Sequence, residues 1–274
     1  MHNVDYGALV EQSYIVDGRD DVIRASRRNF RNGAHFTKIM AGGGVASLYD
    51  PLEIYAATQE EIEAAVEIAS EYGTYVAIHA YNDQSYNRSL DAGVRSYEHG
   101  FLVSEKTVKR MARMDQDITW SFQCYMSVAT FGDYDSMPDF FTHEQKLKGV
   151  AVGEGARKAA AMMLEHDVFM VGGSDMFSPA YGPRMKEDIT CRVNMVDYPA
   201  AHALKMSTGN AGIVLKWSDV LDPYPTYHIG RIAPDSYADI LLWDGNPLEN
   251  IDLILDESKL HLVMKDGVIY KDTM

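Results

Sequence analysis

Hydrophobic and polar positions alternate between two periods along most of the chain. "VIRASRRNFRNG" (22–33) has helical spacing and closes on a glycine, and the β-type run "HFTKIM" follows. In "TQEEIEAAVEIASEYG" (58–73), Thr58 with Glu61 three residues later forms a capping signature, and Gly73 ends the helix. The strand "TYVAIHA" comes next. The short helix ending in "NRSLDAG" precedes "RSYEHG", and "SEKTVKRMARMD" leads into "ITWSFQC". A long helix over about 142–166 precedes "VFMVGGSD", with further helical sequence to 207. These five strand–helix repeats predict an α/β fold around a parallel sheet. Residues 209–227 read as a connecting segment near Pro199, Pro223 and Pro225. Beyond it, "HIGRIAPDSYADILLWDG" and "KLHLVMKDGVIY" are β runs broken by Pro-Asp-Ser and Asp-Gly turns. The expected division is therefore 1–227 and 228–274, the second part being a small β module.

Four of the apolar runs deliver a polar or charged side chain at or near the strand tip: Lys38, His79, His99 and Asp175. In a parallel barrel wrapped by helices, C-terminal strand ends open into one shared mouth. Alternation sends Phe36, Lys38 and Met40 inward together, with Ala77 and His79, Tyr97 and His99, and Gly173 and Asp175. His35, of opposite parity to Lys38, faces the helices. Two imidazoles and a carboxylate suit Zn²⁺ or a similar divalent ion. A lysine ammonium would repel the metal, so Lys38 fits only as a carbamate formed with CO2, an anionic ligand able to bridge two ions.

Composition narrows the partners. With 25 basic against 40 acidic residues, the net charge of −15 argues against nucleic acid and against an anionic membrane surface. No apolar stretch approaches a membrane span, and residues 1–14 lack the charged head and apolar core of a signal peptide, so the default compartment is the cytoplasm. Cys124 and Cys191 suggest neither a disulfide framework nor a metal spacing and read as ordinary core or wall residues.

In this order, "TKIMAGGGV", "YVAIHAY", "SYEHG" and "GGSD" resemble the metal-dependent amidohydrolase superfamily, in its imidazolonepropionase-related, Xaa-Pro-dipeptidase-like branch. "ALKMSTGNAG" and the ending "GRIAPDSYADILLWDGNPLENI…LVMKDGVIY" extend the similarity over nearly the whole chain. The resemblance implies strands four to eight of a TIM-like (β/α) barrel with the C-terminal part of a composite β-sandwich. Lys38 would be the carboxylated lysine bridging two metals. His79 and His99 would be ligands of the more exposed metal. Asp175 would be the ligand of the buried one and the group that handles the proton of the attacking water. Tyr81 would hydrogen-bond a small-molecule substrate. The implied activity is hydrolysis of C–N bonds, in a dipeptide such as Xaa-Pro or an N-acyl amino acid, by metal-activated water, most simply with zinc. A carboxylesterase of the same superfamily and a catalytically incomplete module are the alternatives.

One departure is serious. The family's first strand ends in a His-x-His pair, and none of the nine histidines here is spaced that way. The chain is thus expected to lack the first three strands and half of the sandwich. A missing N-terminal segment or a homo-oligomer would then have to cover exposed strand edges. His2, His35, His143, His166, His202, His228 and His261 are read as structural. "AGGG" (41–44) lacks the spacing of a phosphate loop and reads as a tight turn beside the metal site.

Overall fold

The protein is described by a computed structural model covering residues 13–176, 182 and 184–274. The first helix, α1 (Arg19–Arg31), precedes β1 (Thr37–Met40), and α2 (Gln59–Glu71) precedes β2 (Val76–Asn82). Then come α3 (Asp83–Ala92), β3 (Ser96–Leu102), α4 (Glu105–Ala112) and β4 (Thr119–Phe122). The 23-residue α5 (His143–Glu165) leads into β5 (Met170–Gly172). The five strands form one parallel sheet in the order β1-β2-β3-β4-β5.

The helices start where side chains satisfy their free N–H groups. Thr58 and Glu61 cap α2 reciprocally, Thr142 and Gln145 do the same for α5, and Asn82 accepts from the Ser85 N–H at α3. The apolar stripe of α2, with Ile62, Ala65, Ile68 and Ala69 buried, joins Ile78, Tyr97, Trp120 and Phe122 of the sheet in one core. These four strand residues share one face by register, because Ile78 pairs with Tyr97 and Tyr97 with Trp120. On the opposite face one row runs Met40, His79, Glu98, Ser121, Val171.

That row corrects the strand parity in β3. Tyr97, expected inward, packs on Tyr86 of α3 with ring centroids 5.1 Å apart, and Glu98 takes the place level with His79. A second correction concerns the cysteines. Cys124 and Cys191 are joined in a disulfide across a sequence separation of 67, with Cα atoms 5.8 Å apart. Sequence could not show this, because the partners lie on separate repeats and meet only when α6 (Met185–Asn194) packs beside the end of β4.

After α7 (Ala200–Ser207), the segment from 209 is not all connection: α8 (Gly209–Leu215) is helical, and Asn210 donates to the Met170 carbonyl of β5 at 2.7 Å. The C-terminal β6 (Ile240–Trp243), β7 (Leu260–Lys265) and β8 (Val268–Asp272) form a separate antiparallel sheet. The "HIGRIAPDSY" stretch contributes only an isolated bridge between His228 and Ser236.

Candidate active site

His79 sits in the buried run of β2 and is itself buried. Its Nε2 lies 2.9 Å from the Gly43 carbonyl oxygen, which can only accept, so Nε2 carries a proton. His99 reaches the same face by a different route. Normal alternation would turn it toward the helices, but it has a φ of 67° and Gly100 one of 65°. Left-handed backbone at a non-glycine residue is strained, and here it swings the imidazole onto the His79 side. Gly100 must be glycine, because a Cβ there would fall within 2.1 Å of the Tyr86 hydroxyl. The His79 and His99 ring centroids are 4.5 Å apart with planes at 71°. Tyr81 stacks on His99 at 5.4 Å and meets His79 edge-on at 5.2 Å.

Lys38 shares the site face by register and is exposed. Asp175 follows β5 in left-handed backbone (φ 51°) and is partly buried. Burial pushes its carboxyl up to about 6, with the Lys38 ammonium opposing and the Glu98 carboxylate reinforcing that rise. Burial, with Asp175 and Asp50 adding to it, also raises the Tyr81 hydroxyl far above its usual range, so it stays protonated and able to donate. Charge thus couples Lys38 and Tyr81 to Asp175, and ring contacts join Tyr81 to the two histidines.

Three participants escaped the sequence pattern. Glu98 was hidden by the assumed parity of β3. Gln123 donates through Nε2 to Glu98 Oε2 at 3.2 Å and Ser121 Oγ at 2.9 Å, and its buried Oε1 has no hydrogen-bond partner among the described residues. Lys148 comes from α5, far away in sequence. The remaining described histidines lie apart from this cluster. His35 is exposed rather than packed on helices, and His143 bonds the Tyr134 hydroxyl at 2.9 Å. His166 pairs with Glu105 at 3.1 Å, and His261 bonds Thr273 Oγ1 at 3.0 Å. His202 stacks edge-on against Tyr198, and burial lowers its pKa. His228 is exposed, and His2 lies outside the described residues.

Among the described residues, no three His, Cys, Asp or Glu side chains are grouped as a metal-binding set. As unmodified side chains the residues therefore do not fit a metal ion: two imidazoles meet, and Lys38 as an ammonium is no donor. Also among the described residues, no helix is long and apolar enough to cross a membrane.

The Amidohydrolase family profile matches residues 2–270, and the chain belongs to that family. It is 26% identical over 261 residues to an ochratoxinase of Aspergillus niger, covering 94% of this chain and 50% of that protein. A crystal structure of an amidohydrolase superposes with a TM-score of 0.83 at 29% identity, over 96% of this chain and 60% of the other. A prolidase solved with N-methylphosphonate-L-proline gives 0.79 at 28% identity, over 95% and 60%. The similarity to the Xaa-Pro-dipeptidase-like branch read from the motifs thus agrees with these relatives. The chain spans about half the length of the curated relative it matches.

Proposed function

We propose that the chain carries half of the catalytic machinery of a hydrolase acting on the C–N bond of a small amide, a dipeptide such as Xaa-Pro or an N-acyl amino acid. Supporting this reading above all is the meeting of His79, His99 and Tyr81 on the face that Asp175 shares, with the Asp175 carboxyl raised to about 6. Amide hydrolysis needs a proton taken from the attacking water and one given to the leaving nitrogen. A carboxyl that titrates near neutrality can do both in turn. Tyr81, held protonated, donates a hydrogen bond to the substrate's carbonyl or carboxylate oxygen. The division into a barrel part (1–227) and a sandwich part (228–274) belongs to the same proposal.

The amidohydrolase superfamily generally uses divalent metals. Carboxylation of Lys38 would complete a three-donor set with His79 and His99, and an ion held there would polarise the scissile carbonyl. Asp175 would not complete a second set, because no His-x-His occurs in the 274 residues. The lack of any His-x-His pair in the 274 residues favours the alternative, a catalytically incomplete module.

Purified protein loaded with zinc and bicarbonate distinguishes these readings. The expected result is at most one tightly held ion per chain and slow hydrolysis of dipeptides and N-acyl amino acids, with ester hydrolysis as the comparison. Two tight ions, or turnover in the enzymatic range of roughly 1–10³ s⁻¹, would show that other groups replace the missing pair. No bound ion and no hydrolysis, with or without bicarbonate, would overturn the hydrolase reading for this chain and leave the incomplete module.

A further inference from the structure

The loop between β1 and α2 passes beside His79 and is gripped from the far side by α5. Lys148 Nζ lies 2.5 Å from the Gly44 carbonyl oxygen, 2.5 Å from that of Ser47 and 3.4 Å from that of Asp50. The Asp50 carboxylate is 3.9 Å away, and Gln145, one turn earlier on α5, donates through Nε2 to the Ala46 carbonyl. An ammonium with three donors facing three convergent carbonyls is a cage in which the cation belongs to the protein. Burial lowers the Lys148 pKa, with Asp50 and Glu53 opposing that fall.

We propose that Lys148 is a positioning residue for His79. By tying down the turn over 44–50, it holds the Gly43 carbonyl against the imidazole and so decides which ring nitrogen carries the proton. The chain of contacts is short. Gly43 precedes the first caged carbonyl, and its own carbonyl meets His79 Nε2 at 2.9 Å. Gly43 is also packed too closely to carry a side chain, since a Cβ there would stand 2.0 Å from the Pro51 carbonyl oxygen and 2.7 Å from that of Asp50. With Nε2–H committed to a carbonyl, the neutral ring carries its lone pair on Nδ1. A histidine whose second nitrogen is fixed by a backbone acceptor is oriented as well as tautomerically defined. No such pairing of Lys148 with His79 is visible in the sequence, where they stand 69 positions apart.

The orientation claim stands on geometry, and its catalytic meaning rests on the proposed hydrolase function. The test uses the whole chain labelled with ¹⁵N at histidine, with imidazole ¹H–¹⁵N correlation spectra recorded at pH 8. In the wild type, His79 is expected as the Nε2–H tautomer alone. A wild-type spectrum showing Nδ1–H would overturn the proposal before any variant is made. In K148M the His79 signal should split or average between tautomers, and chymotrypsin should cut after the exposed Tyr49 at least about tenfold faster. G43A, which pushes the same turn from the Pro51 side and leaves Lys148 intact, should give the same His79 change. K148R, which keeps a cation at the cage, should restore part of the wild-type signal. A folded K148M with an unaltered His79 spectrum overturns the proposal and leaves the hydrolase reading untouched. Zinc titration separates the two further. If the wild type binds zinc, K148M should bind it about 10–100-fold more weakly. If the wild type neither binds zinc nor hydrolyses amides, with or without bicarbonate, while K148M still scrambles the tautomer, the hydrolase reading falls and the positioning role stands.

Discussion

Arg192 offers a sharp test of how the site is held from behind. Its side chain is almost wholly buried, as is that of its ion-pair partner Asp188 one turn earlier on α6. The guanidinium also donates to Ser207 Oγ at 2.7 Å, while Asp188 Oδ1 accepts from the Tyr125 N–H at 3.0 Å. Burial lowers the Arg192 pKa to about 10, which leaves it charged at neutral pH. The group lies against β5, since a side chain at Gly172 would meet it within 2.3 Å. That strand leads three residues later to Asp175. Arg192→Met keeps most of the apolar stem and removes the charge, stranding a buried carboxylate with one N–H donor.

Breaking a buried pair on one side costs about 3–5 kcal/mol, a large share of the roughly 5–15 kcal/mol that holds a typical native domain. Urea unfolding followed by fluorescence of Trp120, Trp217 and Trp243 should show that loss as a lower midpoint with an unchanged slope. The double variant R192M/D188L removes both charges. It leaves the Tyr125 N–H without its acceptor, at about 1–3 kcal/mol, yet should still be more stable than R192M alone. If R192M costs less than about 1 kcal/mol, or the double variant is the weaker, then the pair is not desolvated as described and α6 does not brace β5 through it.

Three further outcomes follow from the same geometry. The Asp175 carboxyl has a folded pKa of about 6, above its ordinary 3.8, so its contribution to stability is complete below about pH 4 and lost as pH rises through 6. D175N should therefore match the wild type in urea melts near pH 4, exceed it by about 2–3 kcal/mol near pH 8 at a full two-unit shift, and abolish hydrolysis; equal stability at pH 8 would refute this. Burial raises the Glu61 carboxyl, but donation from Thr58 and the Gly18 N–H outweighs it and leaves the pKa below the usual 4.5, so E61Q should cost about 1 kcal/mol at pH 7, and the difference should fade as pH drops from 4.5 through the lowered folded pKa. Reducing the Cys124–Cys191 disulfide frees a 67-residue separation, worth about 4 kcal/mol in the chain-entropy picture, and the urea midpoint in dithiothreitol should fall accordingly; an unchanged midpoint would show the link to be energetically idle.

How much of this was legible in the chain depends on whether the signal was local. The helix cap at Thr58 and the five strands of one parallel sheet were legible from spacing, and both are present; the reciprocal cap at Thr142 was not read from the sequence. His79 was legible because β2 is regular, so alternation carried it to the correct face. In β3 alternation runs only as far as Glu98. The left-handed pair His99-Gly100 then reverses it, which is why the same rule placed His99 correctly and Tyr97 wrongly. The glycine was the one visible hint, and its reason is the Tyr86 hydroxyl 14 residues earlier. Contacts that depend on packing between repeats left no trace: the disulfide, the Asp188–Arg192 pair and the Lys148 cage each join residues brought together by tertiary structure or buried by it.

The strain at His99 also bears on what the site is for. Left-handed backbone at a non-glycine residue costs on the order of 1–3 kcal/mol and persists only where surrounding contacts overdetermine it. Here the Trp120 indole N–H donates to the His99 carbonyl at 2.5 Å, the Tyr86 hydroxyl donates to the Glu98 carbonyl at 3.2 Å, and Tyr81 stacks on the ring. A regular strand would have avoided the strain and pointed His99 into the apolar core beside Tyr97. These three aromatic residues instead hold an imidazole next to His79, on the face carrying Glu98 and Lys38. A fold needing only a packed sheet gains nothing from that placement. A site needing two imidazoles in contact does, and this makes His99 more informative about function than its place in "SYEHG" alone suggests.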